Sequence, residues 1–124
     1  MTRILMVEDN PDNAELTRKI LMSAGYEVIH APEAEKGFEL ALSEQPHLIL
    51  LDLGLPDYDG QTLAGWLRAE PKTANIPIVA YTAWPDETAR QMVESYGCVG
   101  YISKPIVKVN AFLAKIASYL KTIE

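Results

Sequence analysis

The sequence has a single cysteine, Cys98, so it can form no internal disulfide and offers no second thiol for a zinc cluster. Cys98 reads as a packed, inert thiol. No apolar run approaches the ~20 residues that a membrane-spanning helix needs. The N-terminus enters a strand-like run directly, without the charged and apolar regions of a signal peptide, and the expected location is cytoplasmic. Basic residues are the minority, 11 Lys and Arg scattered among 17 Asp and Glu, with a formal net charge of -6. A nucleic-acid surface wants clustered cations, so that class of partner is excluded, whereas a basic partner is tolerated. Repeats, linkers and low-complexity segments are missing too. What remains, 124 residues of which 48% are hydrophobic and 23% charged, suits one globular domain with one core.

The stretch that organises the chain runs from His47 to Leu55. It begins as a near-continuous apolar run and places Asp52 where that run gives way to Gly54, Pro56, Asp57, Asp59 and Gly60. Such a run, bounded by turn residues, reads as a buried strand of a parallel sheet with polar punctuation at its carboxyl end. Arg3 to Val7, ending in Glu8 and Asp9, repeats the pattern, and further strands are expected over Tyr26 to His30, Ile76 to Thr82 and Cys98 to Ser103. Between them lie helical periodicities. Asn10 or Asp12 caps a first helix with Ala14, Leu16, Ile20 and Leu21 inward, and a second runs from about Pro32 to Ser43. The third carries Leu63, Trp66 and Leu67 inward, the fourth Ala89, Met92, Val93 and Tyr96, and the fifth, roughly Lys108 to Leu120, Phe112, Leu113, Ile116 and Leu120. Five strands alternating with five helices specify right-handed crossovers and a parallel sheet covered on both faces.

The carboxyl ends of strands one, three, four and five carry Glu8 with Asp9, Asp52, Thr82 and Lys104. In open parallel sheets that edge binds ligands, so the set converges on one place. Neither His30 nor His47 is expected there. Carboxylates held together repel by up to ~4 kcal/mol per close pair, so compensation is required. Lys104 supplies one fixed charge, and oxygen ligands from Asp9 and Asp52 suit magnesium. A carboxylate beside a divalent cation, a hydroxyl and an ammonium is equipped for phosphoryl transfer. Asp52 is then the nucleophile, with Lys104 and Thr82 holding phosphoryl oxygens.

These residues resemble the receiver domains of two-component response regulators, from Arg3 to Leu120. The matching positions are Glu8-Asp9, Asp52 within Leu51-Asp52-Leu53-Gly54-Leu55-Pro56, Asp59-Gly60, Thr82-Ala83 and Lys104-Pro105. The resemblance implies a flavodoxin-like (CheY-like) three-layer α/β/α fold with strand order 2-1-3-4-5. It implies that Asp52 accepts phosphate from a histidine kinase or histidine phosphotransfer protein. It also implies that Asp9, Asp52 and the Gly54 carbonyl bind magnesium, with Glu8 acting through water, and that a cis peptide precedes Pro105. Thr82 and the aromatic Tyr101 are the implied switch, repacking the face of helix four, strand five and helix five for a downstream protein target; a monomer or weak dimer is expected. Gly54 and Trp84 flank the path of the hydrolytic water: Gly54 leaves room and Trp84 shields the phosphoryl group or faces a partner.

The whole chain, 1–124, is expected to be a receiver with no output domain. It is read as a signalling module that catalyses only its own phosphorylation and dephosphorylation. Two other classes remain in view. A haloacid-dehalogenase-like aspartyl-phosphate phosphatase uses similar residues but generally wants a second Asp two positions after the nucleophile, where this chain has Gly54. A module that binds its partner without phosphorylation is distinguished by Asp52→Asn leaving that binding untouched.

Overall fold

In the computed structural model the chain alternates strand and helix throughout: β1 (Arg3–Val7), α1 (Pro11–Ser23), β2 (Glu27–Ala31), α2 (Ala34–Glu44), β3 (Leu48–Asp52), α3 (Gly60–Ala69), β4 (Ile78–Thr82), α4 (Asp86–Tyr96), β5 (Gly100–Ser103) and α5 (Val109–Lys121). The structure describes residues 1–121 apart from Pro56, Tyr58, Trp84 and Pro105, and the backbone alone of Asp86. All strand pairings are parallel, in the order β2-β1-β3-β4-β5. β3 and β4, flanked on both edges, are buried at every residue, which is why their sequences are continuous apolar runs rather than alternating ones.

The alternation of side chains divides the interior in two. Ile4, Met6, Leu48, Leu50, Val79, Tyr81 and Ile102 face α1 and α5. Leu5, Val7, Ile49, Leu51 and Ile78 face α2 and α3. Local signals start the helices: Pro11 occupies the first turn of α1, and the Asn10 side chain accepts from the amides of Asp12 and Asn13. Gly97 ends α4 in the left-handed conformation, with φ 69°.

Several expected faces shift. Thr17, not Leu16, lies inside α1; Leu16 is 53% exposed, because Ala14, Thr17 and Leu21 follow the three-and-four spacing that faces the sheet. Tyr96 is 38% exposed at the end of α4. Pro32 precedes α2, and Ile76 and Pro77 precede β4. Pro77 has no amide to donate, yet its carbonyl still accepts from Ile49 N at 2.9 Å, so pairing extends beyond the strand's regular part.

Candidate functional site at the carboxyl edge of the sheet

The period-two rule sets the site. Ile4 and Met6 face α1, so Glu8, next in that series, does too, and Asp52 follows Leu48 and Leu50 on the same face. Asp52 pairs in register with Tyr81, which pairs with Ile102 on β5, and Lys104 lies two residues further on. One row of side chains thus crosses the sheet edge, and Lys104 closes it. Its Nζ donates to Glu8 Oε1 at 2.8 Å and stands 3.3 Å from Asp52 Oδ2. The Gly54 amide donates to Asp52 Oδ1 at 3.1 Å. Asp9 sits at the exposed rim, and one carboxylate oxygen from each of Glu8, Asp9 and Asp52 lies within 4.8 Å of the others.

The electrostatics follow from burial. Glu8 is 0% and Asp52 8% exposed. Burial, followed by the hydrogen-bonding interaction with Glu8, raises the Asp52 carboxyl above its ordinary value, against the opposing pull of the Gly54 amide and Lys104. Burial also pushes the Lys104 ammonium down, but Glu8 and Asp52 more than reverse it, so Lys104 stays charged. Glu8 Oε2 is buried without a hydrogen-bond partner. An orphaned carboxylate oxygen, two further carboxylates and one cation leave local negative charge uncompensated, and hard oxygen donors in that number fit a magnesium ion.

Thr82 is buried at the end of β4, on the face opposite Tyr81, and its carbonyl accepts from the Lys104 amide at 2.8 Å. Tyr101 is half-buried on β5, with the Lys115 ammonium 6.0 Å from its ring centroid. Gly54 is exposed and has open space where a Cβ would stand. Trp84 and the peptide before Pro105 lie outside the described residues. One expectation is corrected: His30 does reach this edge, its Nε2 lying 2.7 Å from the Glu8 carbonyl oxygen. A carbonyl can only accept, so Nε2 carries the proton. β2 lies one residue along from the expected strand, at Glu27–Ala31, and its parallel register sets His30 opposite Met6, two residues before Glu8.

Asp57 and Gly60, read from sequence only as turn and motif residues, have scaffolding roles that the sequence did not assign. Asp57 reaches from the loop after β3 to cap α2, accepting from the amides of Ala34 at 2.9 Å and Glu35 at 3.0 Å. Glu33, the residue that precedes α2, makes no such bond with its side chain. Gly60 opens α3 against the strand end, where a Cβ would stand 2.7 Å from the Asp52 carbonyl oxygen and from Leu53 Cα.

Residues 4–117 match the response regulator receiver domain family. The chain belongs to that family. The receiver is 36% identical over 117 residues to the polar-differentiation response regulator DivK of Brucella anthropi, covering 94% of each protein. Its fold is similar to that of a CheY-like response regulator receiver domain protein from Methanospirillum hungatei, with a TM-score of 0.89, 28% identity and 99% and 96% of the two chains covered. It is equally similar to the receiver domain of a sensor histidine kinase from Pseudomonas aeruginosa, solved with a magnesium ion coordinated in its active-site cleft, at TM-score 0.88, 28% identity and coverage of 97% and 98%. The receiver is therefore a two-component signalling module. Among the described residues no helix is long and apolar enough to cross a membrane.

Proposed function

We propose that Asp52 accepts a phosphoryl group from a phosphohistidine on a histidine kinase or phosphotransfer protein. The observation that carries this reading is the placement of the Asp52 carboxylate between the Lys104 ammonium and the Gly54 amide, with Glu8 and Asp9 beside it. An Asp52 oxygen attacks phosphorus, the P–N bond to the donor imidazole breaks, and its electron pair leaves on the ring nitrogen, which takes up a proton. Lys104 neutralises charge on the phosphoryl oxygens, and the Thr82 hydroxyl binds another of them after moving toward the site. Asp9, Asp52 and the Gly54 carbonyl would hold magnesium, with Glu8 contributing its charge from behind them. When bound, magnesium supplies positive charge that lets two anions approach each other.

The signal leaves through the face formed by α4, β5 and α5. Thr82 and Tyr101 couple the phosphoryl group to that face, which displays Val99 at 44% and Val109 at 45% exposure and binds a downstream protein. The test is intact-mass measurement after incubation with acetyl phosphate, with and without magnesium, on wild type and Asp52→Asn. One magnesium-dependent phosphoryl adduct, lost in the variant, is expected. An adduct that persists in Asp52→Asn overturns the assignment.

A further inference from the structure

The receiver reading accounts for Lys104 but not for the aromatic ring that Lys104 rests on. Tyr81 is 4% exposed and lies beside Asp52 in register on the same face of the sheet. The Lys104 Nζ stands 4.8 Å from the centroid of its ring. That ring is itself held: its hydroxyl lies 3.4 Å from Thr17 Oγ1 on α1, and Phe112 of α5 packs against it with centroids 6.2 Å apart.

A lysine side chain is a flexible stem whose head rotates freely unless something limits it. Two carboxylates compete for this one. Glu8, at 2.8 Å, makes the shorter contact, and Asp52, at 3.3 Å, the longer. Left to these contacts alone, the ammonium would settle on Glu8 and withdraw from the reacting carboxylate. The ring supplies a third attraction, on the Asp52 side of the row, through its negative π face. Tyr81 and Lys104 also line one cavity of about 210 Å³ with Thr17, so taking the ring away enlarges the space into which the ammonium can swing.

We propose that Tyr81 is a positioning residue that holds the Lys104 ammonium at Asp52 through the face of its ring. This deepens, and rests on, the phospho-acceptor reading of Asp52. The phenol oxygen is needed only to fix the ring against Thr17, so phenylalanine at this position retains the effect and an aliphatic side chain loses it.

The experiment compares wild type with Tyr81→Phe, Tyr81→Leu and Tyr81→Met, the last filling the volume without a ring should the leucine variant fail to fold. Two quantities are read. The first is the rate of phosphorylation by acetyl phosphate with magnesium, together with magnesium affinity. Loss of the ring slows phosphorylation roughly five- to tenfold, with magnesium affinity unchanged, while Tyr81→Phe stays within about twofold of wild type. The second is the NMR position of the Lys104 ε-methylene protons in metal-free protein, which the ring current displaces upfield in wild type and Tyr81→Phe but not in Tyr81→Leu or Tyr81→Met. An aliphatic variant that phosphorylates at the wild-type rate, or a wild-type Lys104 methylene at the ordinary lysine position, overturns the proposal. If wild type forms no adduct, the acceptor reading of Asp52 fails by itself, and the NMR pattern still decides whether the ring positions the ammonium.

Discussion

Replacing Asp52 with asparagine is predicted to stabilise the metal-free fold while abolishing its chemistry. Glu8 and Asp52 oxygens within 4.8 Å repel by about 3.5 kcal/mol at an effective dielectric near 20. Lys104, 3.3 Å from Asp52, returns about 5 kcal/mol on the same scale. Asp9 adds a further repulsion, reduced by solvent screening at the exposed rim. These contributions nearly cancel, and the cost of burying the Asp52 carboxylate decides the balance. Its raised pKa has burial as the largest cause. The sign follows: a carboxyl whose folded pKa exceeds its unfolded value favours folding at low pH and loses that contribution as pH rises through the folded pKa. At neutral pH the ionised group opposes folding. Asparagine keeps the shape and an oxygen for the Gly54 amide, so in EDTA at pH 7 the variant gains about 1–2 kcal/mol, or roughly 4–8 °C in Tm. Magnesium offsets most of that gap, stabilising wild type by about 1.4 kcal/mol at tenfold over its Kd and leaving the variant nearly unmoved. Thermal melts with and without magnesium read both effects. A variant less stable than wild type in EDTA, or an equal response of the two to magnesium, would refute the reasoning.

Other consequences concern the scaffold around the site. Asp57→Ala removes the cap of α2 and should cost about 1–2 kcal/mol in urea unfolding, with Asp57→Asn recovering only part of it, because its single carbonyl oxygen can serve one of the two amides. Gly60→Ala drives a methyl into the strand end and should cost about 1–3 kcal/mol, since the atoms it meets are backbone. Burial pushes the Cys98 thiol up to about 11, so a disulfide reagent should react slowly with the folded protein at pH 8 and rapidly in denaturant.

The parts of this account that were legible in sequence are those set by short-range patterns. Apolar runs that end in acids or lysine located the strands, and the parallel topology then brought Glu8, Asp9, Asp52 and Lys104 to one edge. The parts that were not legible depend on contacts distant in sequence. Asp57 caps a helix that begins 23 residues earlier, at Ala34, and nothing near either residue announces the pairing. His30 reaches the Glu8 carbonyl because parallel pairing with β1 sets it opposite Met6, two residues before Glu8, a register that the sequence of β2 does not state. Leu16 and Thr17 exchange places because a hydrophobic residue draws attention at a position where the helix in fact turns toward water. Thr17 is buried with a partner, the Tyr81 hydroxyl, that only the folded sheet supplies.

The most direct test of the central claim asks where the phosphoryl group resides. After phosphorylation by acetyl phosphate in magnesium, borohydride reduction converts an aspartyl phosphate to homoserine, and peptide mass spectrometry locates the altered residue. The account predicts homoserine at position 52 alone, with Glu8 and Asp9 unchanged. Reduction at Asp9, or a phosphoryl adduct that survives borohydride with Asp52 intact, would contradict it.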